Sequence, residues 1–142
     1  MATTLREWTR NAGNAGDAGN WPAIGQSIRK GLPFSQVTLL QKQLGLNLHE
    51  VAQYLQIADR TLLLRKKKGK LNATESDRLY RLMQLVQQTI TLFDENADAV
   101  QNWWKQPCRG LGDRIPLHEA RTEAGARAIE ALIGQLLHGV FP

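Results

Sequence analysis

From Pro33 onward apolar positions recur at intervals of three and four, and no useful length of the chain alternates apolar with polar, so the pattern predicts an all-α fold. Val37, Leu40 and Leu44 share a face of a helix predicted from an N-cap at Ser35 to a stop at Gly45. Asn47 and Glu50 have the capping-box spacing and open a helix carrying Leu48, Val51, Ala52 and Leu55. Asp59 is expected to cap a third short helix running to about Lys67, with Gly69 beyond it. Thr74 and Asp77 repeat the capping-box spacing ahead of a long helix with Leu79, Leu82, Met83, Val86, Ile90 and Phe93 at helical intervals. Tyr80, Leu85 and Leu92 add apolar area on another side, which asks for a second covering surface: a second copy of the chain, or the core of a monomer. A short helix over 96–105 carries Ala99, Val100, Trp103 and Trp104 and stops at Pro107, before a loop with Gly110, Gly112 and Pro116. The last helix starts at Thr122, with Glu123 in its first turn. Ile129, Leu132, Ile133, Leu136, Leu137 and Val140 make one stripe along it, and Gly139 is a natural stop.

The first twenty residues break the pattern. Their density of Gly, Ala and Asn resists helix and builds no core, so they read as an arm, flanked by Trp8 and Trp21 that could pin it to a surface. A short helix over 23–30 ends at Gly31. The expected organisation is an arm at 1–31, a helix-turn-helix unit at 32–71, a long central helix at 72–94 and a small helical domain at 95–142.

Charge sharpens this picture. The net charge of +5 is carried by residues 59–70, where Arg60, Arg65, Lys66, Lys67, Lys68 and Lys70 face one acid, Asp59; elsewhere acids and bases balance. A neutral body with one basic spot points to a localised polyanion contact, a solvated cluster being the plainer reading. The spot falls at the end of the second helix of the helix-turn-helix, where phosphates lie when such a helix enters the major groove. Arg60 and Thr61, early in that helix, are the candidates for base-edge contacts. Ala52 is the small residue the helix crossing needs, and Val51, Leu55, Ile57 and Leu62 fix the angle. Gln56 stands where such a turn usually has glycine. Leu63 and Leu64 stand where polar groove-facing residues are expected, and three consecutive leucines cannot all be buried on so short a helix. A helix-turn-helix that does not bind DNA is the alternative.

Catalytic chemistry is not in view. His49, His118 and His138 lack metal-ligand spacing. Ser27, Ser35 and Ser76 sit in helix-start contexts, and no strand precedes a phosphate-cradling glycine loop. Cys108 is the single cysteine and has no partner base. No secretory signal or membrane-spanning run is visible, so a cytoplasmic protein without cofactor, metal or enzymatic activity is expected.

The ordered set Trp103-x-x-x-Pro107, Leu111-Gly112-Asp113-Arg114-Ile115-Pro116-Leu117, Thr122-Glu123-x-Gly125, Ile133-Gly134 and His138-Gly139-Val140-Phe141 resembles antitoxins of the Xre/MbcA/ParS type. Thr61-Leu62 and Leu79-Tyr80-Arg81-Leu82 upstream fit the same family, so the resemblance covers about residues 33–142. It implies a partner: a RES-domain toxin of ADP-ribosyltransferase-like fold that consumes NAD and is itself the enzyme. It further implies that the antitoxin covers the toxin's active-site cleft and represses its own operon through operator DNA, which a homodimer formed along the long helix would bind. By position, Arg114, Pro116 and Leu117 would build the loop before the last helix, and Thr122, Glu123 and Gly125 would fix that helix's start. His138, Gly139, Val140, Phe141 and Pro142 would form the end nearest the toxin. Asp113 stands where a second glycine is commoner, Arg121 where an acid is common, and Pro142 extends past the aromatic. The alternatives are a stand-alone repressor without a toxin partner, and an interaction module that no longer touches DNA.

Overall fold

A computed structural model describes residues 21–139; Trp8, the rest of the arm, the side chain of Trp21 and the tail Val140–Pro142 lie outside the described residues. Those residues form eight α-helices: α1 (Trp21–Lys30), α2 (Ser35–Leu44), α3 (Leu48–Leu55), α4 (Asp59–Lys68), α5 (Ala73–Leu92), α6 (Ala97–Lys105), α7 (Pro116–Glu119) and α8 (Glu123–His138). A 3-10 turn, Arg109–Leu111, lies between α6 and α7, and there is no strand among them. The all-α expectation holds. The chain divides into two compact units between Gln84 and Leu85, a point inside α5.

The first unit is built on the apolar faces read from the periodicity. Val37, Leu40 and Leu44 of α2, Val51, Ala52 and Leu55 of α3, and Leu79, Leu82 and Met83 of α5 are all buried. Each large member contributes on the order of 1.5–3 kcal/mol by leaving water. The unit is closed by backbone pairing between residues distant in sequence. Leu71 N donates to Leu32 O at 3.0 Å and Phe34 N to Gly69 O at 2.9 Å, while Leu32 N donates to the fully buried Ser76 hydroxyl at 2.8 Å. Gly31 enters this closure with φ +96°, and a Cβ there would collide with the Leu71 carbonyl oxygen.

In the second unit Val86, Ile90, Val100, Trp104, Leu117, Ile129 and Ile133 are buried. The Trp104 indole N–H donates to Thr89 Oγ1 at 2.8 Å, and that hydroxyl donates to Val86 O at 2.7 Å. Both side chains are fully buried, so the polar edge of the largest core residue is satisfied inside the fold. Trp103 packs edge-on against Trp104, ring centroids 5.2 Å apart.

Helix ends correct the reading at three places. Ser35 is not an N-cap: Phe34 is, without a side-chain cap bond, and Ser35 is the first helical residue. Asp59 likewise sits one residue inside α4, where Ala58 is the N-cap and the Asp59 carboxylate instead meets His49 Nδ1 at 2.9 Å. The long helix opens two residues earlier than expected: Glu75 N donates to Asn72 Oδ1 at 2.8 Å and Asn72 N to Glu75 Oε1 at 2.9 Å, so Asn72 and Glu75, not Thr74 and Asp77, close the capping box. The Asn47–Glu50 box, the Thr122 cap and the stops at Gly45, Gly69 and Gly139 are as read, and Asn96 caps α6 by accepting from Ala99 N. Leu85, whose apolar area suggested a second copy, is buried within the single chain.

Tyr54 of α3 donates its hydroxyl to Arg78 O of α5 at 3.0 Å, and Arg78 Nη1 donates back to Leu55 O at 2.7 Å. Burial first, with Asp77 adding to it and Arg81 and Arg78 opposing, pushes the Tyr54 phenol up to about 12. Its folded pKa therefore lies above its unfolded value of about 10, so the associated stability is complete below pH 10 and is lost as pH rises toward 12. Urea unfolding across pH 8–12 should show a loss of about 2 kcal/mol in that window. A Tyr54→Phe variant should start about 1 kcal/mol less stable and lose correspondingly less in the window.

Candidate functional site

The basic site is built on α3, α4 and the start of α5. A three-residue connection, Gln56 to Ala58, joins α3 to α4, and Ala52, buried on α3, leaves room for the two helices to cross. Gln56 adopts the left-handed conformation (φ 59°, ψ 42°) that the missing glycine would have adopted freely. A side chain there costs about 1 kcal/mol or more, the local price of so short a turn. The His49–Asp59 pair links the first turn of α3 to the first turn of α4, but both groups are well exposed and the pair adds little stability.

Leu62 is the one residue of α4 that is buried, so the opposite side of the helix is free to meet a partner. Arg60 lies on that side, exposed, and Thr61 is half-buried at its edge. Lys66, Lys67 and Lys68 project from the last turn, where the helix dipole favours cations. Lys70 is exposed as well, its backbone bridged to Pro33. Arg65 differs from the others. Its Nε donates to Glu75 Oε1 at 2.8 Å, and that carboxylate is only 3% exposed. Arg65 thus anchors the end of α4 to the first turn of α5. Sequence reasoning missed Glu75, although Asn72-x-x-Glu75 carries the capping-box spacing as plainly as Thr74-x-x-Asp77.

The second site lies on the other unit and falls into two clusters. Cys108 N donates to Arg114 O at 2.9 Å and Asp113 N to Cys108 O at 2.9 Å, which draws the loop into a tight return. Gly112 and Asp113 both turn left-handed there, at φ 65° and 63°, so the Asp113 backbone holds a conformation that glycine adopts more readily. Arg114 Nη1 lies 3.8 Å from Glu119 Oε2. Pro116 and Leu117 are buried in α7. Thr122 accepts from Gly125 N at 3.0 Å, and a Cβ on Gly125 would collide with the Glu119 carbonyl oxygen. The Thr-Glu-x-Gly spacing therefore lets α8 approach the end of α7 at backbone distance. Glu123 is exposed and pairs with Arg127 at 2.9 Å.

His138 and Gly139 lie at the far end of α8, about 22 Å along the helix axis from Glu123. The two clusters are not brought together by the fold of the helix. The apolar stripe of α8 splits between them: Ile129 and Ile133 are buried, Leu132 is half-buried, and Leu136 and Leu137 are 39% and 36% exposed. The stripe read from the sequence is thus continuous in pattern but only partly covered in the fold. The position of the exposed pair in the last turn before Gly139 was the only signal that separated it from the buried half of the stripe.

A helix-turn-helix unit followed by a small helical unit with an apolar C-terminal end defines a two-part binding protein. A family model for the antitoxin Xre-like helix-turn-helix domain matches residues 23–84, and one for the antitoxin Xre/MbcA/ParS C-terminal toxin-binding domain matches 88–139. These matches fall on either side of the division at Gln84. The chain is 31% identical over 120 residues to an Xre antitoxin of Photorhabdus laumondii, covering 84% of this chain and 81% of the relative. It is 28% identical over 141 residues to an Xre antitoxin of Yersinia enterocolitica, covering 99% and 94%. The chain belongs to the Xre family of antitoxins, with a helix-turn-helix domain and a toxin-binding domain. No helix among the described residues is long and apolar enough to cross a membrane.

Two glycines of α8 should respond oppositely to alanine. Gly134 has nothing within 4 Å of a built Cβ, so Gly134→Ala should stabilise by about 0.5–1 kcal/mol. Gly125→Ala should destabilise by about 2 kcal/mol or more, because backbone must move. Thermal unfolding followed by circular dichroism checks both.

Proposed function

We propose that this antitoxin neutralises a RES-domain toxin of ADP-ribosyltransferase-like fold by seating the end of α8 and the tail after it in the toxin's active-site cleft. The carrying observation is the exposure of Leu136 and Leu137 in the turn that leads to Gly139 and the apolar sequence Val140-Phe141-Pro142. A short apolar segment that follows a helix-ending glycine has the size and chemistry to enter a cleft. Val140 and Phe141 would each contribute at best about 1.5–3 kcal/mol, so the exposed leucines and His138 supply necessary further area. On this reading Pro116, Leu117, Thr122 and Gly125 build the platform that carries α8, while Arg114 and Glu123 are its outward-facing charges. The toxin is the enzyme; the antitoxin supplies occlusion and no chemistry.

The same reading assigns operator DNA to α4, with Arg60 and Thr61 toward base edges and Lys66, Lys67, Lys68 and Lys70 on phosphates, held in place by Arg65. It includes repression of the chain's own operon by a homodimer on paired half-sites, in the cytoplasm.

Two measurements test the two halves. Co-expressed with the product of the adjacent gene, the intact chain should restore growth. A chain lacking Gly139–Pro142 and a Leu136→Asp/Leu137→Asp variant should not, with helix content retained by circular dichroism. Rescue by the truncated chain would remove the tail from the mechanism, and failure of the intact chain would favour a stand-alone repressor. For DNA, log K against log salt should have a slope near −0.9 per neutralised phosphate, and Lys66→Ala, Lys67→Ala and Lys68→Ala should each reduce it by about that amount. A slope unchanged by all three would place the phosphates elsewhere.

A further inference from the structure

Leu63 and Leu64 are each 55% exposed, and neither packs under the long helix. Arg60, Leu63, Leu64 and Lys67 stand at i, i+3, i+4 and i+7 of α4, which is one stripe, and it lies opposite the buried Leu62. The centre of the face that the DNA-binding reading turns toward the groove is thus apolar, and its two ends are cationic.

We propose that Leu63 and Leu64 determine operator sequence by contacting the 5-methyl groups of thymines in the major groove. This rests on the DNA-binding reading above. The occupant follows from the charges around the pair. Arg60 and Lys67 lie on the same stripe, and Lys66 and Lys68 flank it in the last turn, so an apolar protein surface brought there would have to neutralise or desolvate several cations, whereas DNA supplies their counter-charges. Within the major groove the thymine methyl is the apolar group on display; cytosine, adenine and guanine present donors and acceptors. A leucine over one of those polar edges strips it of water without replacing the hydrogen bond, so the pair selects thymine by attraction and also by penalising the other bases. Adjacent residues on a helix are turned about 100° from one another, which directs the two side chains to neighbouring positions instead of one.

The experiment selects bound sequences from a random double-stranded DNA pool with the full-length chain, then measures affinity for the enriched duplex with each thymine replaced in turn by deoxyuridine, which removes the methyl alone. One or two thymines should weaken binding about fourfold each on replacement, the value of one buried methyl. Leu63→Gln and Leu64→Gln variants, exposed and therefore expected to retain the fold by circular dichroism, should bind the two duplexes equally and enrich a changed consensus. Enrichment of a sequence insensitive to deoxyuridine at every thymine would overturn the proposal and leave DNA binding standing. Absence of any enrichment would overturn both. A fall in molecular mass in the leucine variants with the methyl sensitivity intact would also overturn it, assigning the leucines to a contact between protein chains.

Discussion

The helix-turn-helix half of the molecule depends on one buried carboxylate. Glu75 takes up Arg65 from the last turns of α4 and the backbone N–H of Asn72 before α5, while Asn72 returns a bond to the Glu75 backbone. A carboxylate so enclosed needs donors aimed at it, and Arg65 Nε and Asn72 N both reach its Oε1; removing Arg65 would strand the buried charge at a cost of several kcal/mol, whereas the partly exposed Arg65 loses less without Glu75. The same short stretch pairs with the chain entering α2, through Gly69, Leu71 and the buried hydroxyl of Ser76. Where α4 ends, and hence where its lysines leave the surface, is set by this knot more than by any propensity of the helix itself. With four consecutive cations closing it and one buried residue, α4 has little reason to hold its place alone.

The helices were legible in the sequence because their apolar periodicity survives in the fold almost residue for residue, and because Gly45, Gly69 and Gly139 do mark helix stops. The caps were less so. Asn72-x-x-Glu75 and Thr74-x-x-Asp77 satisfy the same local rule, and the choice between them comes from Arg65, a partner ten positions away from Glu75 and on another helix. Asp59 falls one residue inside the helix, because Ala58 holds the extended backbone of the N-cap, and its carboxylate then meets His49. At the basic site the cations and their position were readable. What could not be read was which of three consecutive leucines faces inward, since that depends on the angle at which α4 crosses α3. That angle follows from the left-handed turn at Gln56.

The C-terminal half shows the complementary limit. Thr122-Glu123-x-Gly125 reads correctly as a helix start, yet the reason for its glycine is a carbonyl oxygen on the preceding short helix, invisible to local spacing. Gly110 also lies close to a neighbour, but to the end of the Leu132 side chain, which can give way where a carbonyl cannot. These are packing constraints, and they explain why residues quoted for a binding resemblance are in part buried. On the proposed reading, these contacts set the shape of the platform from which the end of α8 is presented.

Two pairs of exposed leucines, on α4 and on α8, illustrate how little a residue type says by itself. Leu63 and Leu64 are bracketed by arginine and lysines, so any surface that covers them must also answer several positive charges. Leu136 and Leu137 are preceded by Gly134 and Gln135 and followed by His138 and Gly139, a setting that asks nothing electrostatic of its partner. Dehydrating either pair yields a similar hydrophobic gain, because that gain depends on area alone. The difference lies in the penalty for the wrong partner, which is large beside the cations and small beside the neutral end of α8. If the two pairs meet the partners proposed for them, discrimination between a polyanion and a protein cleft is carried by the neighbours of the leucines, and each half can leave apolar surface exposed without competing for the other's partner.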